Sequence, residues 1–420
     1  MDDYILQLRK ANLIESRNYL QTLEILEQII SMFQNDTTNE MRVTRDSKIL
    51  MSRIAYLKNL KKSPSSRLSE KPARNQIKVE EQFKEEVISI ELDHIISPII
   101  DDVYTMLMNN ESIEYKDYLS FYKSVHTYLV EDSKPIVYES SEIAYFVGDT
   151  HGSYSETILM ITYFEKILQK FPEAKIIFLG DYVDRNPFDL ENLTLIIAFW
   201  IKFKKNVTLI RGNHEDPKIN DAYGFIDNLK ENFVIEQWVD DLYGEILKIF
   251  VNLPIIHILN VTSNHGTSVR KIFSVHGGIP VNNDHPEEAI LLSDLEKNLH
   301  IPVNSYENFS EYLNWLLWAD PKENLDGYLL DPNTGRNQFG PDIFNQFVKA
   351  NDIDIVVRAH EVLKNGFKTF FNDHLISLFS TSYYKNRKIG DGAFLRIFED
   401  KPFTPLPIDP TFLEQDLTQF

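Results

Sequence analysis

Apolar residues in the middle of the chain form short continuous runs, separated by longer segments with helical spacing. Residues 143–147, 175–179 and 207–210 are rich in β-branched and aromatic side chains and have the length of buried strands. Between them, residues 155–171 and 190–205 carry apolar side chains three or four positions apart, which predicts helices. This alternation of strand and helix predicts an α/β fold with a parallel sheet and helical crossovers.

The chain before this region has a different pattern. Residues 1–60 have the apolar spacing of a helical hairpin. Residues 61–80 are rich in serine, proline and basic side chains, which predicts a flexible basic linker. The linker is either a solvated tether or an autoinhibitory segment that reaches an acidic groove of its own chain. From about residue 81 the spacing is helical again, with Tyr118 and Phe121 on one predicted face.

Charge and composition exclude several classes of function. The chain has 43 Lys and Arg residues against 63 Asp and Glu residues, a formal net charge of −20. This balance argues against nucleic acid and anionic membranes as partners. Cysteine is absent, which excludes disulfides, thiolate metal sites and cysteine nucleophiles. The longest apolar stretch, residues 193–203, is too short to span a bilayer, and the N-terminus lacks signal-peptide features. We therefore expect a cytoplasmic or nuclear protein.

Each of the three predicted strands is followed by a polar cluster flanked by glycine. The first cluster contains Asp149 and His151, the second contains Asp181, and the third contains Asn213 and His214. In a βαβαβ unit the carboxyl ends of the strands lie at one edge of the sheet, so we expect these side chains to lie close together. A lone carboxylate at a strand end is usually a turn or helix cap, whereas three such clusters favour a metal site.

Two later histidines, His276 and His360, also follow apolar runs. Taken singly, each is typical of a packed core histidine. Beside the three clusters, each is better interpreted as a metal ligand. Carboxylate, amide and imidazole donors without a thiolate suit divalent Mn, Fe or Zn. A carboxylate has two oxygens and can bridge two ions. These ligands could therefore form a two-metal centre.

The order of the polar blocks along the chain is GDTHG, GDYVDR, RGNHE, HGG, LLWADP, RAHE and FSTSYY. This series resembles the phosphoprotein phosphatase family of serine/threonine phosphatases, within the calcineurin-like metallophosphoesterases, over roughly residues 85–400. The resemblance implies a metallophosphoesterase β-sandwich with flanking helices around the βαβαβ core, to which the pattern adds an α-helical N-terminal extension. The organisation expected is a helical regulatory or targeting region at 1–60, the linker at 61–80, a catalytic domain at 81–400 and an extended, proline-containing tail at 401–420.

The resemblance also implies a ligand set for two divalent ions that share Asp181 as a bridge. The remaining ligands that it implies are Asp149 and His151 for one ion, and Asn213, His276 and His360 for the other.

The same resemblance implies roles around the metals. His214 would be the general acid, and Asp184 would orient it. Arg185 and Arg336 rank first for contact with the substrate phosphate. The other implied phosphate-binding residues are Asn213, Tyr384 at the rim, and Arg358, which sits two residues before a ligand and is an alternative that orients the site.

The predicted function is metal-dependent hydrolysis of phosphoserine and phosphothreonine in proteins by a hydroxide activated between two metals. The alternatives are a phosphatase or pyrophosphatase that acts on nucleotides or other small phosphoesters, and a non-catalytic scaffold that binds phosphopeptides. Expected partners are phosphoprotein substrates and a regulatory or targeting subunit that contacts the N-terminal helices. The acidic balance of the chain suggests basic phosphopeptides.

The sequence departs from the family pattern near the site. Asn186 stands where the family has glycine after Asp-Arg, and asparagine is the next best residue for a positive φ, so we expect the turn to survive. Ala319 replaces a serine of the family, and residues 382–385 replace its Pro-Asn-Tyr-Cys rim motif. None of these changes removes an implied metal ligand, so we expect an active enzyme.

Overall fold

The computed structural model describes residues 98–129, 134–263, 267–301, 311–332 and 334–418. The helical region predicted at 1–60 and the linker predicted at 61–80 lie outside the described residues, so both stay predictions.

Helices occur where apolar spacing predicts them, and their ends differ from the predicted ends by a few residues. The predicted helices at 155–171 and 190–205 correspond to Tyr154–Lys170 and Asp189–Lys202. In chain order the helices are α1 (residues 98–108), α2 (Tyr115–Leu129), α3 (Tyr154–Lys170), α4 (Asp189–Lys202), α5 (Pro217–Tyr223), α6 (Phe225–Asn232), α7 (Glu236–Phe250), α8 (Leu292–Asn298), α9 (Glu311–Trp318), α10 (Pro341–Asn351) and α11 (Pro410–Thr418).

The strands are short, and most are flanked by loops that carry polar residues. In chain order they are β1 (Ile136–Ser141), β2 (Ile143–Val147), β3 (Lys175–Phe178), β4 (Val207–Leu209), β5 (Ile256–Thr262), β6 (Ser268–Val275), β7 (Asp320–Pro321), β8 (Tyr328–Leu329), β9 (Gln338–Phe339), β10 (Ile355–Arg358), β11 (Phe367–Phe370), β12 (Leu375–Leu378), β13 (Tyr383–Tyr384), β14 (Arg387–Lys388), β15 (Ala393–Phe398) and β16 (Thr404–Pro407).

Two larger sheets form the centre of the fold. The first has the spatial order β16-β15-β2-β3-β4, and β2, β3 and β4 are parallel as the sequence predicts. The second has the order β1-β5-β6-β10-β12-β11. Strands β7, β9 and β8 form a small sheet, and β13 pairs with β14 in a hairpin. This arrangement confirms the predicted α/β class.

Alternation of side chains along β2 explains why it is apolar on both faces. Ala144 and Phe146 pack in a cluster with residues of the second sheet, such as Val357. Ile143 and Tyr145 belong to a different cluster that includes helices α2, α3 and α4. Successive strand residues point to opposite faces, so a strand between a sheet and a helical layer is buried on both sides. The two sheets therefore pack face to face, and helices cover the first sheet.

The outer face of the second sheet is also covered. Phe273 and Val356 pack with residues of α8, α9 and α10, including the buried Trp315. The fold is thus a β-sandwich between two helical layers, as the resemblance implies. None of the helices in the described part of the chain has the length and apolar character that crossing a bilayer requires.

The C-terminal segment is extended only in part. Residues Thr404–Pro407 form β16 and pair antiparallel with β15, and Pro410–Thr418 is helical. Leu413 is buried in the core, whereas Phe412 is exposed. Asp416 accepts hydrogen bonds from Tyr163 and Arg396. The expectation of an extended tail beyond residue 400 is therefore corrected: these residues complete the first sheet and the layer of helices over it.

Candidate active site

Loops from both sheets meet at one edge of the sandwich. The backbone N–H groups of Thr150 and His151 donate to the carbonyl of Asp181, at 3.1 and 3.0 Å. The backbone N–H of His360, after β10, donates to Asp149 Oδ1 at 3.0 Å. The N–H of His214, after β4, donates to Asp181 Oδ1 at 2.9 Å. The carboxylates are thus held by the backbone of loops from different strands.

Several site residues adopt a left-handed backbone conformation, which residues other than glycine and asparagine adopt less readily. The φ angles are 43° at His151, 55° at Asp181, 71° at Asp184, 85° at Arg185 and 71° at His360. Such conformations persist only where the surrounding structure enforces them, and they are concentrated at functional sites. This edge of the sandwich is therefore the candidate active site.

A glycine beside the carboxylates permits their close approach. A Cβ atom on Gly212 would lie 2.3 Å from Asp181 Oδ1 and 2.4 Å from the backbone nitrogen of Asp181. No side chain fits in that space, so glycine at this position lets the loop after β4 contact the loop after β3.

The implied ligands lie around Asp181. His151 Nε2 lies 3.6 Å from Asp181 Oδ2 and 3.7 Å from Asp149 Oδ2. On the other side, His276 Nε2 lies 3.2 Å from Asp181 Oδ1. The two oxygens of Asp181 thus face different groups of donors, which is the arrangement a bridging carboxylate requires.

Asn213 and two histidines form the second group. Asn213 Oδ1 lies 2.9 Å from His276 Nε2 and 2.8 Å from His360 Nδ1. His360 Nε2 is buried without a hydrogen-bond partner. Ligand atoms of Asp181, His276 and His360 lie within 4.8 Å of one another, as do those of Asp181, His151 and His214.

Backbone carbonyls orient two of the imidazoles. His151 Nδ1 lies 2.9 Å from the carbonyl oxygen of Val183, and His276 Nδ1 lies 2.8 Å from that of Leu179. A carbonyl can only accept, so Nδ1 carries a proton in each ring and Nε2 is the ring atom that faces the carboxylates. Hydrogen bonding of the distal ring nitrogen in this way is typical of metal-binding histidines.

Burial disfavours the charged forms of Asp149 and His151. Burial, and then the neighbouring carboxylate of Asp181, raises the pKa of Asp149 to about 7. Burial, and then repulsion from His214, lowers the pKa of His151 to about 3. A cation favours the deprotonated form of both kinds of group. The buried oxygen and nitrogen donors therefore fit divalent metal.

His214 and Asp184 form a hydrogen-bonded pair at the side of the cluster. His214 Nδ1 lies 2.7 Å from Asp184 Oδ2, and its Nε2 lies 3.9 Å from Asp181 Oδ2. The backbone N–H of Phe225 donates to Asp184 Oδ1, and the side-chain amide of Asn220 donates to Asp184 Oδ2. Burial alone would lower the pKa of His214, but the carboxylates of Asp181 and Asp184 outweigh it and raise that pKa.

Arg185 lies beside this pair, between two tyrosine rings. Its Cζ atom is 3.8 Å from the ring centroid of Tyr223 and 5.3 Å from that of Tyr384. The Tyr384 ring in turn lies 5.5 Å from the imidazole of His151. Arg185 Nε is buried without a partner in the protein. The guanidinium is therefore positioned by aromatic contacts and retains a free donor.

The structure corrects the phosphate-binding interpretation of Arg358. This side chain is fully buried. Its N–H groups donate to protein acceptors in Gly277, Ala319, Asp320, Glu361 and Ser377. These five bonds use all its donors, so none remains for a phosphate oxygen. Arg358 instead joins the strand before His360 to the block that contains Asp320.

Arg336 is different, because it is exposed and bonds to one acceptor. Its Nε donates to Asp320 Oδ2 at 3.2 Å. The same carboxylate accepts from Arg358 through Oδ1. Asp320 thus connects a buried arginine to an exposed one, a role that sequence reasoning did not assign although it quoted the block.

Glu215 is a second residue that sequence reasoning left without a role. Its carboxylate accepts the backbone N–H groups of Asp181, Tyr182 and Gly212, each at 2.8 Å. It therefore holds the loops after β3 and β4 together beneath the candidate metal site. The signal was its position next to His214 in the third polar cluster.

Asn186 keeps the turn by a different route from the one expected. The positive φ angles fall on Asp184 and Arg185 rather than on Asn186. Its side chain donates to the carbonyls of His151 and Tyr383, at 2.7 and 3.0 Å. It therefore joins a metal-site loop to the hairpin that carries Tyr384.

Two solved phosphatase structures align with two thirds or more of this chain. A protein serine/threonine phosphatase from Saccharomyces cerevisiae, described as similar to human phosphatase PP5, aligns over 74% of this chain and 95% of its own, with 23% identity and a TM-score of 0.55. A cold-active protein tyrosine phosphatase of a Shewanella species aligns over 67% of this chain and 82% of its own, with 16% identity and a TM-score of 0.42. The first of these supports the fold. Residues 144–364 match the calcineurin-like phosphoesterase family, and the chain belongs to that family.

Proposed function

We propose that this phosphoesterase is a metal-dependent protein phosphatase that hydrolyses phosphoserine and phosphothreonine. The observation that carries the proposal is the His214–Asp184 pair beside Asp181. Serine and threonine alkoxides are poor leaving groups and need a proton as the bond to phosphorus breaks. A buried imidazole whose pKa is raised by two carboxylates is suited to supply that proton.

We further propose that Asp149, His151 and Asp181 hold one divalent cation and that Asp181, Asn213, His276 and His360 hold another. Such ions would supply Lewis-acid polarisation of the phosphoryl oxygens and of the attacking water.

The protein's own residues carry the remaining steps. Arg185 and Arg336 bind the phosphoryl oxygens and offset their charge. In the reaction the oxygen of water forms a bond to phosphorus, and the bond from phosphorus to the serine or threonine oxygen breaks. His214 gives its proton to that oxygen, and Asp184 stabilises the imidazole ring in position.

The rim of the site favours a peptide over a small phosphoester. Phe188, Tyr223 and Tyr383 are exposed aromatic residues. The Tyr223 ring contacts the guanidinium of Arg185, and the carbonyl of Tyr383 accepts from Asn186. Exposed aromatic side chains are typical of surfaces that bind other proteins. Nucleobases also stack on aromatic rings, so a dinucleotide is included in the substrate comparison.

Substrate comparison tests the proposal. Release of phosphate would be measured with peptides of one sequence that contain phosphoserine, phosphothreonine or phosphotyrosine, and with a dinucleotide, all in the presence of Mn²⁺. We expect kcat/KM to be highest for the phosphoserine and phosphothreonine peptides. Faster turnover of the dinucleotide, or of phosphotyrosine alone, would overturn the assignment of substrate class.

A further inference from the structure

The hairpin of residues 383–388, named here the rim hairpin, has an unusual tip. Its strands β13 and β14 are joined by Lys385 and Asn386, whose φ angles are 52° and 59°. Positive φ at both positions defines a type I′ turn, in which asparagine and glycine are preferred. Lysine is unfavourable there, so the surroundings hold the tip in a conformation that its sequence does not favour.

Hydrogen bonds fix the rim hairpin to the active site. The side chain of Asn186 donates to the carbonyl of Tyr383, and its Oδ1 accepts the backbone N–H of Asn386 at 3.2 Å. The carboxylate of Glu156 accepts the backbone N–H of Ser382 and the hydroxyl of Thr381. The hairpin is therefore anchored at its base and at its tip.

The rim hairpin carries positive charge in an acidic protein. Lys385, Arg387 and Lys388 are exposed, while Asp391 forms an ion pair with Lys388 at 3.5 Å. The local charge is thus opposite in sign to the net charge of −20.

We propose that the rim hairpin selects phosphopeptides with acidic residues next to the phosphorylated residue. This inference rests on the proposed function and names its substrate class. Tyr384 lies 5.3 Å from the guanidinium of Arg185. Lys385 Nζ lies 5.9 Å from the Tyr384 ring, and Arg387 pairs with Tyr384 across the hairpin. An extended peptide advances about 3.3 Å per residue, so acidic side chains within about three residues of the phosphoserine can approach these cations. The rim, rather than the overall charge, sets the preference, contrary to the expectation of basic phosphopeptides.

The test compares two phosphoserine peptides that differ only in their flanking residues, one with Asp and Glu and one with Gln and Ser. For the wild-type protein with Mn²⁺ we expect kcat/KM to be about tenfold higher for the acidic peptide. Replacing the cations by Lys385→Asn, Arg387→Gln and Lys388→Gln together reduces this ratio to about twofold or less. Asparagine at residue 385 suits the positive φ, so the turn is kept.

A matched control removes the same number of cations elsewhere. Lys123→Gln, Lys166→Gln and Lys349→Gln lie at exposed positions on α2, α3 and α10. This variant has the same net charge as the rim variant and is expected to keep the tenfold ratio. An equal fall in both variants would overturn the inference, because the preference would then follow net charge.

A binding measurement separates this inference from the proposed function. Affinities of the same two peptides, fluorescently labelled, would be measured by anisotropy with chelator-treated protein. We expect tighter binding of the acidic peptide and a weaker preference at high ionic strength. Equal affinities would overturn the inference even if both peptides were hydrolysed. A binding preference without release of phosphate would contradict the proposed function alone.

Discussion

His214 and Asp184 have a role that can be distinguished from metal binding by changing the leaving group. We expect His214→Ala to lower kcat on a phosphoserine peptide by about 10²- to 10⁴-fold, because the serine alkoxide then leaves without its proton. An aryl phosphate, whose leaving group is a much weaker base, should lose far less. Steady-state kinetics on both substrates is the measurement. Equal losses on the two would contradict a role as general acid.

Arg336 and Arg358 are both arginines beside Asp320, but their surroundings predict opposite consequences of removal. Arg358→Met leaves the carboxylates of Asp320 and Glu361 without their buried partner, so we expect a loss of about 3–5 kcal/mol in the free energy of unfolding. Arg336→Met removes an exposed side chain and should leave stability unchanged while it raises KM or lowers kcat.

Chemical denaturation of both variants tests the predicted difference in stability, and steady-state kinetics tests the predicted difference in phosphate binding. A stable Arg358→Met protein with a selective loss of phosphate affinity would restore the phosphate-binding interpretation of that residue.

At the scale of elements, a polar cluster links the two sheets and predicts a pH dependence of stability. Glu139 of β1 accepts from Lys175 of β3 and lies 2.8 Å from His257 of β5. Burial alone would raise the pKa of Glu139, but hydrogen bonds and charge from His257 and Lys175 outweigh it and lower that pKa from 4.5 to about 2. The carboxylate of Glu139 thus binds a proton less readily in the folded protein than in the unfolded chain.

The resulting stabilisation is complete above pH 4.5 and is lost as the pH falls towards 2. We expect Glu139→Gln to reduce the free energy of unfolding by about 3 kcal/mol at pH 7, and the difference from wild type to shrink below pH 4.5. Denaturation at pH 7, 4.5 and 3.5 is the measurement. A difference that stays constant over this range would contradict the assignment to the Glu139 charge.

The C-terminal helix α11 is a second element with a measurable contribution. Leu413 is buried against the helices of the first sheet, whereas Phe412 beside it is exposed. We expect Leu413→Ala to reduce the free energy of unfolding by about 2–5 kcal/mol, since it leaves a cavity. Phe412→Ala is the matched control and should cost less than about 1 kcal/mol. Equal effects would mean that α11 does not dock through Leu413.

At the scale of the whole molecule, strand and helix positions follow from local periodicity, while the tail does not. The continuous apolar run at 143–147 predicts β2 because both of its faces are buried. Residues 404–407 carry two prolines, which the sequence reasoning interpreted as an extended tail. Edge strands tolerate proline, and pairing with β15 depends on distant residues that local pattern cannot reveal.

In the site, too, local sequence predicts some features and long-range contacts determine the others. Glycine-flanked carboxylates and histidines after apolar runs predict which side chains meet at the edge of the sandwich. The contacts that position them are long-range, as when Glu215 accepts from the loop of Asp181. The environment of Arg358 likewise depends on three separate segments, so its burial could not be read from its place before His360. The spacing of polar residues along the chain identifies the side chains that can bind a metal or a phosphate. Tertiary packing decides which of these side chains remain available to do so.

Asp181 is the residue on which the proposed chemistry depends most, because its two oxygens face both groups of donors. Phosphate release from a phosphoserine peptide would be measured with chelator-treated protein before and after addition of Mn²⁺, for wild type and Asp181→Asn. Thermal unfolding of both proteins with and without Mn²⁺ serves as the folding and binding control. We predict that Mn²⁺ restores turnover and raises the unfolding temperature of wild type only. Equal turnover with and without metal, or full turnover by folded Asp181→Asn, would contradict a metal-dependent phosphatase at this site.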